Sequence, residues 1–364
     1  EMKKMDFYMP KENYLLSGIS NIYAGSSYID FLDNKLIILS ARGLIAYGEI
    51  KENEISLKQI KNNLNNFLGI DSFEEDRSFS FKDILIFNNK IYVTLTDEIS
   101  DNCWTTSVLY SDINFENLNF KYLFKPKECV NENNDEAFVS VQSGGRLTPL
   151  DEDNLLLSTG EFRYRKKAQD LSSIFGKIIN INLDNGEYNI VSMGHRNPQG
   201  LFVDQKNKIV ISTEHGPWGG DEINLIPFEK IYNNEILNFG WPISSYGEHY
   251  AKKNARTGEA LRRLDLLYKK YPLHKSHEEY GFREPIYYFT PSIGISEITG
   301  LGKSKYISSS LGSKKLFFFK LDQDKKISEY HIETAGERVR DIIFKNNKLI
   351  LFLEDTATIG IVNY

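Results

Sequence analysis

One pattern of apolar and polar positions recurs along the chain. A short apolar strand meets a polar turn, a second apolar strand ends in Ser, Thr or a carboxylate, and a loop leads to a third strand. Residues 28–32 and 36–40 flank Asp33-Asn34-Lys35, and residues 83–87 and 91–94 flank Asn88-Asn89-Lys90. The third unit runs through 145–148, 155–159 and 177–183, and the fourth through 200–203, 209–213 and 222–226. The fifth takes in 297–300, 305–308 and 315–321, and the sixth 339–344, 348–353 and 358–362. Asn and Asp tolerate the left-handed backbone of a tight turn, so such turns between β-branched runs read as hairpins. Units this small cannot bury their own faces and must stack. Six short antiparallel sheets predict an all-β fold, a six-bladed β-propeller. Its last strand is expected to pair with the start of the chain, leaving no open edge.

Helical periodicity is weak. Residues 55–67 read either as a short helix or as the outer strand of the first blade. A segment from about 243 to 284, rich in Lys, Tyr, Arg and His, interrupts the rhythm. Insertions of this kind map to loops on the ligand-binding face of a propeller. No Pro/Gly/Ser-rich linker divides the chain, so residues 1–364 are expected to form a single domain.

The net charge of −6, with both signs interspersed, argues against an electrostatic nucleic-acid binder. Tyr (21) and Phe (23) far outnumber Trp (3), which favours strands over helical bundles. No apolar run is long enough to span a bilayer. The sequence starts at Glu1 rather than Met, which suggests a trimmed or processed product. Export to the periplasm or the outside is the expectation, with no signal peptide visible. The two cysteines, Cys103 and Cys129, lack metal-ligand spacing. They are free thiols in a cytosolic protein or a disulfide in an exported one, and the disulfide is the expectation carried forward.

Candidate chemistry concentrates in Gly194-His195-Arg196-Asn197-Pro198-Gln199-Gly200-Leu201, followed by Thr213-Glu214-His215-Gly216-Pro217 and Asp221-Glu222-Ile223-Asn224. Glycine and proline bend the chain and expose carbonyls, while arginine and amides offer donors in fixed geometry. Such a cluster suits a polyanion held by arginine and a hard cation held by carbonyl oxygens. Within it, His195 is expected to brace the turn. Arg338 and Arg340 alternate with Val339, so both guanidiniums lie on one face of a strand. His274, His277, Glu278 and Glu279 cluster in the insertion, but no helical face converges them, and they read as a solvated loop.

These motifs, with Ser143-Gly144-Gly145-Arg146-Leu147, Asn238-Phe239-Gly240-Trp241-Pro242, Pro291-Ser292-Ile293 and Glu337-Arg338-Val339-Arg340-Asp341, resemble the soluble quinoprotein glucose and aldose sugar dehydrogenases, the glucose/sorbosone dehydrogenase family. The resemblance covers roughly the last two thirds of the chain. It implies a six-bladed propeller that carries pyrroloquinoline quinone (PQQ) beside a calcium ion and oxidises a small sugar or related alcohol. Arg196 and Asn197 would contact the quinone, and Gln199 would lie beside quinone and ion. Arg338 and Arg340 would meet cofactor carboxylates, and the Gly216 and Pro217 carbonyls would ligate calcium.

The departures fall on proton transfer. Where the family places a catalytic histidine, four residues before Arg146, this chain has Gln142, and an amide is no general base at neutral pH. The supporting aspartate is Glu161, which either serves as a substitute base or pairs with Arg146 or Arg163. A lysine that the family often places after a Ser-Leu pair is Gly312, with Lys314 and Lys315 close behind. The catalytic candidates are therefore Gln142, Glu161 and Arg196. The alternative is a family member without turnover, a ligand-binding or interaction propeller.

Overall fold

A computed structural model describes residues 2–5, 7–8, 26–51, 54–76 and 78–364. Six antiparallel blades ring a central axis, and their innermost strands touch in cyclic order. These inner strands are Ser27–Leu32, Phe81–Phe87, Gly144–Pro149, Pro198–Asp204, Ile295–Gly302 and Val339–Lys345. The last blade adds Lys348–Leu353, Thr358–Asn363 and finally Lys3–Met5 from the start of the chain. Lys3 faces Ile361 and Met5 faces Ile359, so the ring closes as the sequence pattern predicts.

Strand Lys35–Ser40 explains why the sequence shows near-continuous apolar runs rather than strict alternation. Ile37 and Leu39 pack towards the second blade with Ile84 and Val93. Leu36 and Ile38 pack towards the sixth with Ile350 and Phe352. A blade wedged between two neighbours buries both faces, and each fully buried aliphatic side chain contributes about 1.5–3 kcal/mol. The hairpin turns do what their residues allow. Asn88 and Asn89 have φ of 47° and 58°, and Asn346 and Asn347 have 51° and 57°.

Carboxylates then stitch the inner strands together. Asp83 of the second blade accepts Leu147 N–H of the third at 2.8 Å, and Asp341 of the sixth accepts Ile29 N–H of the first at 2.7 Å. Glu297 of the fifth accepts Leu201 N–H of the fourth at 3.3 Å, and Asp30 accepts Ile86 N–H. Neighbouring inner strands diverge too far to share a ladder, so side chains satisfy their backbone donors.

One open alternative is decided and two expectations change. Residues 55–67 are not a helix: Lys58–Asn62 pairs with Ile45–Glu49 as an outer strand of the first blade, followed by a single 3₁₀ turn at Leu64–Asn66. The insertion is not all loop, since Gly258–Lys270 is a 13-residue helix. Its exposed face carries the i,i+4 pairs Glu259–Arg263 and Asp265–Lys269, and Leu264 alone among its residues is buried. His277 is not solvated but 1% exposed; its Nδ1 donates to Phe239 O at 2.9 Å, with Glu222 at 3.5 Å from Nε2. Cys103 and Cys129 are disulfide-bonded, as expected for an exported chain. No helix among the described residues is long and apolar enough to cross a membrane.

Candidate active site

Inner strands all begin at one end of the ring, and the antiparallel second strands end there. Residues just before a first strand and just after a second strand therefore converge. Gln142, Arg196, Asn197 and Arg338 belong to the first group, and Glu161, His215, Gly216 and Glu354 to the second. This placement is why the sequence pattern ends its second strands in polar groups.

The segment around Glu161 is knitted by backbone bonds. Gly160 N–H donates to Ser143 O at 2.9 Å, Glu161 N–H to Arg196 O at 3.1 Å, and Phe162 N–H to Gln142 O at 2.9 Å. Glu161 is fully buried. In the orientation its neighbours require, Gln142 donates its amide NH₂ to Glu161 Oε1 and accepts Arg196 Nη2 at 2.9 Å. Burial pushes the Glu161 carboxyl up to about 7, with Arg196 and Arg165 pulling the other way. Among the described residues its second oxygen, Oε2, is buried without a hydrogen-bond partner, as is Arg165 Nε.

Arg196 is likewise buried, which lowers its pKa, with Glu161 opposing. Its Nη1 donates to His215 O at 3.0 Å and Gly216 O at 2.9 Å, and its guanidinium lies over the rings of Trp241 and Tyr250. His195 braces the turn as expected, between Ser192 Oγ at 2.8 Å and Glu214 Oε2 at 2.7 Å. Asn197 Oδ1 accepts Gly144 N–H and the Gln199 amide, both at 3.1 Å. Burial lowers the pKa of His215, whose Nε2 has no hydrogen-bond partner among the described residues.

The Gly216-Pro217 corner is set by Asp221, which accepts Gly216 N–H at 3.0 Å and, through its other oxygen, three N–H groups of Ile293, Gly294 and Ile295. A side chain at Gly216 would collide with Gly220 O at 2.1 Å, so only glycine allows this bend. Pro217 O accepts the Ser292 hydroxyl at 3.3 Å.

Across the axis, Gln199 Oε1 accepts Arg340 Nη1 at 3.3 Å. Arg340 and Arg338 share Glu354, at 2.8 Å each. Burial would raise the Glu354 carboxyl, but Arg340, the Ser26 hydroxyl and Arg338 outweigh it and hold it at about 2. Lys82 adds a third cation: burial, reinforced by Arg340, lowers its amine to about 7, and its Nζ donates to Ser78 O at 2.6 Å.

Sequence reasoning missed Glu354, Lys82 and the work of Asp221. Glu354 carried a signal, a carboxylate closing an apolar second strand, and Asp221 lay inside a quoted motif. Arg146 does not pair with Glu161. It is the hub of the axis, with Glu297 at 2.9 Å, Asp83 at 3.1 Å and Asp341 at 3.3 Å. Lys314 reaches Asp355 at 2.8 Å, well engaged at the exposed rim.

One end of the propeller axis thus presents the Arg196, Arg338 and Arg340 guanidiniums, inward carbonyls and, among the described residues, unpartnered polar atoms. The chain belongs to the glucose/sorbosone dehydrogenase family, whose model matches residues 85–362. It is 28% identical over 221 residues to aldose sugar dehydrogenase YliI of Escherichia coli (strain K12), covering 55% of this chain and 53% of the relative. By sequence the chain spans about half the length of the curated relatives it matches. The soluble aldose sugar dehydrogenase of E. coli in its apo form superposes with a TM-score of 0.70 at 18% identity, covering 94% of this chain and 97% of that one. The PQQ-bound aldose sugar dehydrogenase of Streptomyces coelicolor gives 0.64 at 17%, covering 93% and 94%. These two structures support the fold.

Proposed function

We propose that the chain is a single propeller unit acting as a quinoprotein-type sugar or alcohol dehydrogenase, with PQQ and calcium at the end of the axis and Glu161 as the proton acceptor. One observation carries this reading: Glu161 is fully buried beside Gln142 and Arg196, with a pKa raised to about 7 and one oxygen unpartnered.

The residues present fit the cofactor. Arg338 and Arg340 share the single carboxylate of Glu354, Arg196 and Lys82 donate to backbone carbonyls, and the atoms of Glu161, Arg165 and His215 that have no partner among the described residues collect at the same end. Arg338 and Arg340 would hold quinone carboxylates, with Asn197 and Gln199 beside the ring. Gly216 and Pro217 carbonyls, each with a lone pair beyond its present hydrogen bond, would ligate calcium. Bound there, the quinone supplies a two-electron oxidant and calcium a Lewis acid.

Glu161 takes the proton of the reacting hydroxyl at Oε2. Gln142 holds Oε1 and thereby aims the carboxylate, and the Arg196 charge keeps part of it ionised near neutral pH. The raised pKa matches a general base working at neutral pH. The disulfide agrees with a site of action outside the cytoplasm.

The second reading, a propeller that binds without turnover, draws on Arg196 already engaging two carbonyls. Calorimetric titration with calcium and PQQ, followed by a dye-coupled assay with aldoses, separates the two. Quinone binding with turnover supports the dehydrogenase, whereas binding without turnover leaves the second reading. A protein that binds no quinone refutes the first.

A further inference from the structure

Three guanidiniums gather at Glu161. Arg196 and Arg165 are the cations acting on its carboxyl, and Arg163 feels Arg165, Glu161, Arg196 and Glu136. Two carboxylates serve this group. One of them, Glu136, is already shared with Lys270 at 2.7 Å, the Tyr271 hydroxyl, and Arg165, whose backbone N–H donates at 3.0 Å. Four cations thus face two carboxylates, and Glu161 gives up its charge as pH falls through about 7.

Arg163 itself is half-buried, and among the described residues its guanidinium has neither an ion pair nor a hydrogen bond. Its backbone is also held against preference. Phe162 and Arg163 have φ of 48° and 67°, the left-handed region that suits glycine. The turn is fixed by the fully buried Phe162 ring and by Tyr164 N–H donating to Glu161 O at 2.6 Å. A strained arginine with no ion pair or hydrogen bond among the described residues, two residues from the proposed proton acceptor, is arranged for something the protein does not supply. Behind it, Arg165 Nε is a buried donor that also lacks a partner.

We propose that Arg163, backed by Arg165, receives an anionic group of the substrate, so that the sugar oxidised at Glu161 carries a carboxylate or a phosphate. The inference rests on the dehydrogenase reading of this site. A guanidinium forks onto either anion through two parallel hydrogen bonds, and it desolvates more readily than an ammonium. The cofactor's carboxylates have their own cations across the axis, Arg338, Arg340 and Lys82, so Arg163 is left for the substrate.

Glucose, glucuronate and glucose 6-phosphate are titrated calorimetrically into the protein with and without calcium and PQQ. At least one acidic sugar is expected to bind about tenfold tighter than glucose, an advantage that shrinks with salt. The tighter of the two acids identifies the anion. Arg163→Gly suits the left-handed turn, so its melting temperature should hold or rise while the advantage over glucose disappears. Arg163→Lys should keep part of it. Equal affinities for all three sugars, or an advantage that survives Arg163→Gly, would overturn the proposal. So would an Arg163→Gly variant that loses affinity for PQQ instead, because the anion would then be the cofactor's. Failure of the wild type to bind PQQ refutes the dehydrogenase reading but still leaves the sugar comparison decisive on the unloaded protein.

Discussion

Arg146 and Arg196 are both buried arginines near the propeller axis, and they are treated in opposite ways. Every guanidinium nitrogen of Arg146 is engaged: three carboxylates surround it, and Nε and Nη2 also donate to the Gln199 and Arg340 carbonyls at 2.8 Å. Around Arg196, the Glu161, Arg165 and His215 side chains each keep one buried polar atom without a hydrogen-bond partner among the described residues. Buried polar groups are ordinarily satisfied, because an unmade hydrogen bond costs about 1–3 kcal/mol. Folding completes the first cluster; it does not complete the second, which on the reading proposed above a ligand completes.

The largest expected effect falls on the finished cluster. Arg146→Met strands Asp83, Glu297 and Asp341 together in the interior, and breaking a buried ion pair from one side costs about 3–5 kcal/mol. Chemical denaturation should register that loss, whereas Arg196→Met should cost less stability and, on the proposed reading, abolish PQQ binding. Equal destabilisation by both would erase the contrast.

Next comes Glu161→Gln, which removes the proposed proton acceptor while keeping shape. Turnover should fall about 10²–10⁴-fold. The melting temperature should not drop, since a buried and poorly paired carboxyl is replaced by a neutral amide. Unchanged turnover would make Glu161 structural.

The pH profile is a gentler probe. Since the carboxyl titrates near 7, its basic form grows as pH rises through 7, and the rate should climb over that window. A profile flat across that range would assign proton removal to another group. The smallest change is expected from Gln142→His, which places an imidazole beside Glu161 and should raise turnover about tenfold if the quinone is seated. No gain would mean that Gln142 only positions Glu161.

The blades were legible in the sequence because local rules write them. Asn88-Asn89 and Asn346-Asn347 mark hairpins wherever they occur, and they sit in left-handed turns. Gly216 and Arg196 were legible as motif residues, because close approach and bidentate donation demand those residue types. The hub at Arg146 was not. Its partners come from blades 63, 151 and 195 residues away, counting Asp83, Glu297 and Asp341, and no local pattern encodes such distances. The Gly258–Lys270 helix escaped notice for a different reason. It buries one leucine and leaves Leu261 and Leu266 exposed, so its apolar stripe is too thin to announce a helix. Arg163 entered the sequence reading only as a possible partner of Glu161, since its left-handed backbone shows only in three dimensions.

The pairing of Lys3–Met5 with the final strand has a mechanical corollary. Lys3 lies beside Ile361 and Met5 beside Ile359, so the outward-leading ends of both strands emerge side by side. Tension between them loads the rungs one after another, starting at Lys3, rather than all at once. The clasp that completes the ring therefore resists pulling as a zipper does and not as a seam in shear, and an applied stretch would open the sixth blade before any other.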